Sequence, residues 1–227
     1  MLRRIANKAL APLGLKLVPR HHDQLVYQHD YGSGGAAKYR AIQIHWNKAK
    51  FDQVWAEEIT LKAIADDIVK RGLAREGLCH GARNGWEVEW FSKTLGCPVT
   101  GTDISDTAAS VPNMVVHDFH DRREDWIGRF SFIYTNSLDQ AFDPKKALRE
   151  WADQLTRDGR IYIEHTMQHG PAGASEMDRF GVHPLAFPYW LLDNGLIHLL
   201  DDLIHVENVG HKAKGHVWVF VLAAGRG

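Results

Sequence analysis

Apolar and polar positions change period along this 227-residue chain, and the changes divide it into elements. Between residues 38 and 71 apolar side chains recur at spacings near three and four: Tyr39, Ile42, Ile44 and Trp46, then Val54, Trp55, Ile59, Leu61, Ile64 and Ile68. That is the period of a helix. From residue 77 short apolar runs alternate with helical stretches. GLCH reads as a strand and GWEVEWFSKTLG as the helix after it, and PVTGTD reads as the next strand, followed by a short polar, alanine-rich stretch. MVVHDF and FSFIYTN read as strands joined by the segment containing REDWIGR. DPKKALREWADQL is an amphipathic helix leading into the strand RIYIEHT. Strand and helix in repetition predict an α/β fold, a parallel sheet with helices on both faces, whose ligands sit at the carboxyl ends of the strands.

The two ends depart from this alternation. A helical stretch near residues 185–194 precedes LIHVENV, the turn-like GHKAKG and HVWVFVLAA, two strands close enough to pair as an antiparallel hairpin. An ordinary dinucleotide-binding domain continues with another parallel unit, so this ending narrows the choice. Residues 21–37, HHDQLVYQHDYGSGGAA, read as a loop that could serve as a lid. The expected organisation is a basic helix, loop and helical lead-in or lid over residues 1–76, and a core domain over 77–227.

Composition adds few constraints. With 44% hydrophobic and 24% charged residues the chain belongs with ordinary globular domains, and a net charge of −1 gives no general pull toward nucleic acid. The N-terminal MLRRIANKALAPLGLKLVPR is basic and amphipathic, and Lys8, Pro12 and Lys16 interrupt what would be the apolar core of a signal peptide. No later run is long enough to span a bilayer, so a cytoplasmic protein is expected. Its first 20 residues are expected to pack back on the domain, with weak docking on a membrane surface as the alternative. Cys79 and Cys97 lack metal-ligand spacing and read as free thiols of a reducing compartment. Trp90, Trp126, Trp151 and Trp218 sit in apolar patterns and read as core.

The chemistry concentrates at predicted strand ends. In GLCHGARNGWE, Gly81 and Gly85 fall where a strand turns into a helix, a place where glycine lets the backbone approach a ligand closely. Asp103 ends PVTGTD, where a carboxylate can accept ribose hydroxyls, with Ile104 beside it. Asp118 ends MVVHDF and could receive an adenine amino group while Phe119 flanks the ring. Three such sites on successive strands indicate an adenosine-type cofactor.

With these residues, and with FIYTNSLDQAFDPKKALREWADQLTRDGRIYIEH and the closing hairpin, the chain resembles the class I S-adenosylmethionine-dependent methyltransferases over roughly residues 77–224. The resemblance implies a Rossmann-like three-layer sandwich whose mostly parallel seven-stranded sheet ends in an antiparallel hairpin. It also implies S-adenosylmethionine as cofactor and S-adenosylhomocysteine as product. By resemblance, Gly81 and Gly85 lie beside the methionine part, Asp103 binds ribose and Asp118 binds adenine. Cys79 stands where the family commonly has an acid that holds the methionine amino group, so that contact must come from elsewhere, for which backbone carbonyls near Gly81 and Asn136 are candidates. Arg83 replaces the middle glycine, and its guanidinium could pair with the cofactor carboxylate.

Methyl transfer to a hydroxyl needs a base. Asn136, Ser137 and Asp139 follow the fourth strand, and Glu164, His165 and His169 follow or end the fifth; His165 or Asp139 is the expected base. The Asn-Pro-Pro-Tyr or Asp-Pro-Pro-Tyr signature that the family uses on planar amino groups is absent. Asp178, Phe180 and His183, in ASEMDRFGVHPLAFPYW, are the expected acceptor wall, suited to a sugar or another polyhydroxylated small molecule. The basic N-terminal extension is also similar to those before some methyltransferases of glycan pathways. Among 14 histidines, HDFH and the pair His165 and His169 lack a third ligand at metal spacing, so zinc is not expected. A magnesium ion shared with the acceptor through Asp139 or Asp178 remains an option. Two other readings compete with the enzyme: a methyltransferase-like binding or assembly protein without catalysis, and an NAD-dependent enzyme on a similar sheet.

Overall fold

A computed structural model describes residues 2–15, 17, 24–208 and 215–224. The first element is helix α1 (Leu2–Leu10), followed by a turn in which the Asn7 side chain bonds both the N–H and the C=O of Leu17. Ile5, Leu13, Leu15 and Leu17 stay exposed, so these apolar side chains do not pack back on the domain. Among the described residues no helix is long and apolar enough to cross a membrane.

The region expected as a loop holds strand β1 (Val26–Gln28), and helix α2 (Gly35–Ala49) starts earlier than the apolar pattern indicates. The single helical stretch expected over 38–71 is two helices, since α3 (Glu58–Lys70) begins after a break. Then follow β2 (Gly77–His80), α4 (Trp86–Leu95), β3 (Val99–Asp103), β4 (Met114–Val116), β5 (Phe130–Thr135) and α5 (Pro144–Gln154). The chain ends with β6 (Leu155–Thr166), β7 (Phe180–Val182), α6 (Phe187–Asp193), β8 (Leu200–Asn208) and β9 (Gly215–Ala223). Residues 210–214 of the turn-like GHKAKG lie outside the described residues, as do 18–23.

Among the described residues seven strands form one sheet in the order β4-β3-β2-β5-β6-β9-β8, and β1 pairs with β7 in a separate two-stranded ribbon. The pairs from β4 to β6 are parallel, and β9 runs antiparallel to both β6 and β8. This is the predicted sheet and its hairpin. Alternation across the pleat splits the core. Cys79, Phe132 and Tyr134 face α3 and α4, while Leu78 and Ile133 face α5 and α6. In α3 the buried Leu61, Ile64 and Ile68 recur at helical spacing, each fully buried and each contributing about 1.5–3 kcal/mol. The segment before residue 77 therefore supplies one face of the core.

Candidate functional site

The carboxyl ends of β2, β3, β4 and β5 converge on one edge of the sheet, and the predicted cofactor residues meet there. Gly81 follows β2 with φ +71°, and a Cβ at that position would lie 2.6 Å from Ser137 Oγ. Gly85 caps α4 with φ +74°, where a Cβ would meet Val111 at 2.8 Å. Both positions require glycine for conformation as well as for space. Arg83 between them adopts φ +41°, a left-handed conformation that is costly for a residue with a side chain. Three hydrogen bonds hold it: its N–H donates to Asp103 Oδ2 at 3.1 Å, and its guanidinium donates to the carbonyls of Lys50 and Gln53. Arg83 Nε is buried without a partner.

Asp103, at the end of β3, is 2% exposed. Its Oδ1 accepts from Ser105 N and from Asn47 Nδ2, each at 2.8 Å, and burial raises its carboxyl above the usual range. Asp118, beyond β4, accepts from the backbone N–H and Nδ1 of His120 and from Arg40. Burial pushes the Asp118 carboxyl up, but the His120 hydrogen bond and charge outweigh it and the net direction is down. His120 Nε2 accepts from the N–H of Asp143, so in the neutral ring the proton sits on Nδ1, aimed at Asp118. Asp103, Ile104, Asp118, Phe119 and Gly81 line one narrow slot, closed on its outer side by Tyr39, Gln43 and Asn47 of α2.

Beside the slot lies a cavity of about 630 Å³, within the range of small-molecule sites. Gly81, Arg83 and Asn136 line it together with Glu87, Asp139 and Asp178. Glu87, in the first turn of α4, is 7% exposed, and its charge adds to burial in pushing the Cys79 thiol up. Asp139 is 8% exposed, its Oδ1 has no partner, and burial raises its carboxyl to about 7. Asp178 is raised to about 7 by burial and by the charge of Asp139. His169 Nδ1 accepts from Thr166 N at 3.0 Å, so the neutral ring carries its proton on Nε2, which stands 3.9 Å from Asp139 Oδ2. Burial holds His169 down at about 4, which keeps the ring neutral. Trp55 Nε1 and Asn136 Nδ2, from two other lining residues, are buried donors without partners. A ligand that accepts from these donors and donates to Asp139 would satisfy the orphaned groups.

Three residues expected at the acceptor line neither the slot nor the cavity. His165, on β6, donates from Nε2 to the carbonyl of Val182 and stacks on Phe187, and burial lowers it to about 3. It is a core residue and cannot serve as the base from that place. Phe180 is 1% exposed and packs on Trp190, and His183 caps a short turn by accepting from Leu185 N. Among the described residues no group of three or more His, Cys, Asp or Glu side chains is placed to hold a metal ion, so the magnesium option through Asp139 or Asp178 gains no support. Residues that the sequence did not single out include Asn47, Gln43, Tyr39, Lys50, Trp55 and Glu87. Five of these six precede the core, in a stretch whose only legible signal is helical periodicity.

No protein-family model and no curated protein sequence matches the chain. Solved structures do. The 1,6-didemethyltoxoflavin-N1-methyltransferase of Burkholderia thailandensis, with bound 1,6-didemethyltoxoflavin and S-adenosylhomocysteine, superposes with a TM-score of 0.64 over 92% of this chain and 100% of its own, at 18% identity. An S-adenosylmethionine-dependent methyltransferase of Clostridium acetobutylicum gives a TM-score of 0.53 over 83% of this chain and 99% of its own, at 11% identity. A TehB-like methyltransferase of Corynebacterium glutamicum gives 0.51 over 83% and 98%, at 21% identity. The chain thus has the Rossmann-like fold of the S-adenosylmethionine-dependent methyltransferases.

Proposed function

We propose that this protein is an S-adenosylmethionine-dependent methyltransferase that methylates a hydroxyl group of a sugar or another polyhydroxylated small molecule. The observation that carries the reading is the junction of two spaces at one sheet edge. A slot walled by Asp103, Asp118 and Phe119 shares Gly81 with a cavity that holds Asp139, whose Oδ1 has no partner. The donor set fits the cofactor: Asp103 would accept the ribose hydroxyls and Asp118 the adenine amino group. Glu87 would take the ammonium that Cys79 cannot, and Arg83 Nε is available to the carboxylate. When bound, the cofactor supplies an electrophilic methyl group on sulfur.

The chain's own task is to orient the acceptor and remove a proton. Asp139 is suited to the second, because a carboxyl raised to about 7 holds a proton more tightly than an ordinary aspartate and is about half ionised at pH 7. His169 Nε2–H is a donor, so it would hold the acceptor oxygen or steady Asp139, not take the proton. The hydrogen-bonding wall of Asp139, Asp178, Lys50 and Gln168 suits several hydroxyls at once. The fold does not choose the acceptor atom, since solved neighbours include an N1-methyltransferase and a carbon methyltransferase.

The test is calorimetric titration of S-adenosylhomocysteine into the wild type and Asp103→Ala, then a screen of sugars for methyl gain by mass spectrometry. Expected are binding that the substitution weakens at least about tenfold, through loss of charge-assisted hydrogen bonds, and transfer to a polyol oxygen. Absence of binding by the wild type would leave the non-catalytic reading in its place.

A further inference from the structure

We infer that helix α2 is a displaceable wall of the nucleoside site, in which Asn47 and Arg40 hold Asp103 and Asp118 in the nucleoside's place until the cofactor displaces them. This rests on the cofactor reading above and adds a set of residues to it. The slot between α2 and the strand ends measures about 10 Å³, the space of roughly one water molecule, whereas ligand sites span about 300–1,000 Å³. A nucleoside therefore cannot enter while α2 is docked. The contacts of α2 fall on the acids assigned to the cofactor: Asn47 Nδ2 donates to Asp103 Oδ1 at 2.8 Å, and Arg40 lies 3.3 Å from Asp118 Oδ2. An amide N–H on Asp103 uses the lone pair that a ribose hydroxyl would use.

The composition of the docked face makes the helix movable. The buried residues of α2 are Tyr39, Gln43 and Asn47, two of them polar amides, whereas α3 buries Leu61, Ile64 and Ile68. Lifting α2 uncovers the aromatic Tyr39 but no fully buried aliphatic side chain, Ile42 and Ile44 being only part-buried, and water can replace the lost hydrogen bonds, so local opening costs less than it would for α3. Its N-terminal end carries Gly32 and Gly35, both at positive φ, a place where the chain can swivel. The same helix reaches the acceptor side: Gln43 donates to the carbonyl of Met177, next to Asp178 of the large cavity. Displacement of α2 would release that wall as well, linking cofactor entry to the shape of the acceptor site.

The experiment measures S-adenosylhomocysteine binding to the full chain by calorimetry and by stopped-flow fluorescence, with Trp46 in α2 as the reporter. Wild type, Asn47→Ala and Arg40→Ala are compared. Removing a contact that competes with the ligand raises the open fraction, so Asn47→Ala should bind about tenfold more tightly and Arg40→Ala severalfold. In the wild type the observed association rate should level off with ligand concentration at the opening rate, and both substitutions should raise that plateau. Arg40 is half exposed, so its truncation provides a folded variant if Asn47→Ala does not fold. Unchanged binding by the variants, with rates linear in concentration, would overturn the inference, and weaker binding by Asn47→Ala would overturn it and make Asn47 a direct ribose contact. Absence of binding by wild type and variants alike would instead remove the cofactor reading and leave α2 nothing to gate.

Discussion

Asp139 and His169 share the acceptor end of the cavity, and their hydrogen bonds assign them different tasks. The N–H of Thr166 occupies His169 Nδ1, which fixes the proton on Nε2 and leaves Asp139 Oδ1 as the unpartnered acceptor. With its carboxyl raised to about 7, Asp139 must lose its proton before it can take one from the acceptor. Expected, then, is a kcat/KM for methyl transfer that rises through about pH 7 and levels above it. Asp139→Asn should lower kcat by about a hundredfold to ten-thousandfold and abolish that rise. His169→Gln keeps a donor in place and should retain the pH profile at reduced rate; a pH–rate series on the three proteins checks both. At this scale the sequence was legible where a single acid ends an apolar run, as at Asp103 and Asp118. It was not legible in HTMQH. His165 still belongs to β6 and is sealed between Phe187 and Phe220, while His169 follows the strand's end and turns to the cavity. Four residues apart, the two histidines carry no signal of which side of a strand end each will face.

Elements were legible in proportion to their apolar faces. The alternation from β2 to β9 is legible because the strands bury aliphatic or aromatic side chains on one or both faces, the edge strand β4 only in part. Helix α2 shows the limit: of the apolar positions that announced it only Tyr39 is buried, and the rest of its buried row, Gln43 and Asn47 at i+4 and i+8, looks like a solvated face. The apolar Ile42, Ile44 and Trp46 that announced the helix are only half-buried. The start of α5 was readable from Asp-Pro: Asp143 accepts from Lys146 N at 3.0 Å and Pro144 occupies the first turn. Asp143→Ala should cost about 1 kcal/mol, seen as a lower urea midpoint at unchanged slope, whereas Asp143→Asn should retain most of the stability. The backbone bond from Asp143 N to His120 survives either change, so the orientation of Asp118 should as well.

Across the whole molecule, burial has shifted two sets of groups in opposite senses, and together they set the pH range of stability. His80, His165 and His169 are lowered from 6.5 to about 3, 3 and 4, so the folded protein keeps them neutral where the unfolded chain protonates them. They contribute stability above about pH 6.5 that is lost as pH falls toward 4. Asp139, Asp178 and Glu164 are raised to about 7, so the folded protein holds protons that the unfolded chain has released above about pH 4.5. Their contribution is complete at low pH and falls as pH rises through about 7. Between about pH 4.5 and 6.5 three groups oppose three and the slopes offset. Below that window the histidines act together with carboxyls held low by their partners, such as Asp118 and Asp201, and above it chiefly the raised carboxyls, up to about pH 7. Thermal melts should therefore show a broad plateau between about pH 4.5 and 6.5, with Tm falling below it and stepping down through about pH 7 to a lower, level value. Asp139→Asn separates the two sets: it removes one carboxyl that must ionise in the interior, so it should melt above the wild type at pH 8 and nearly alongside it at about pH 4. A variant that melted equally at both values would show that Asp139 is ionised in the folded protein at little cost, and with it the case for a near-neutral base would be lost.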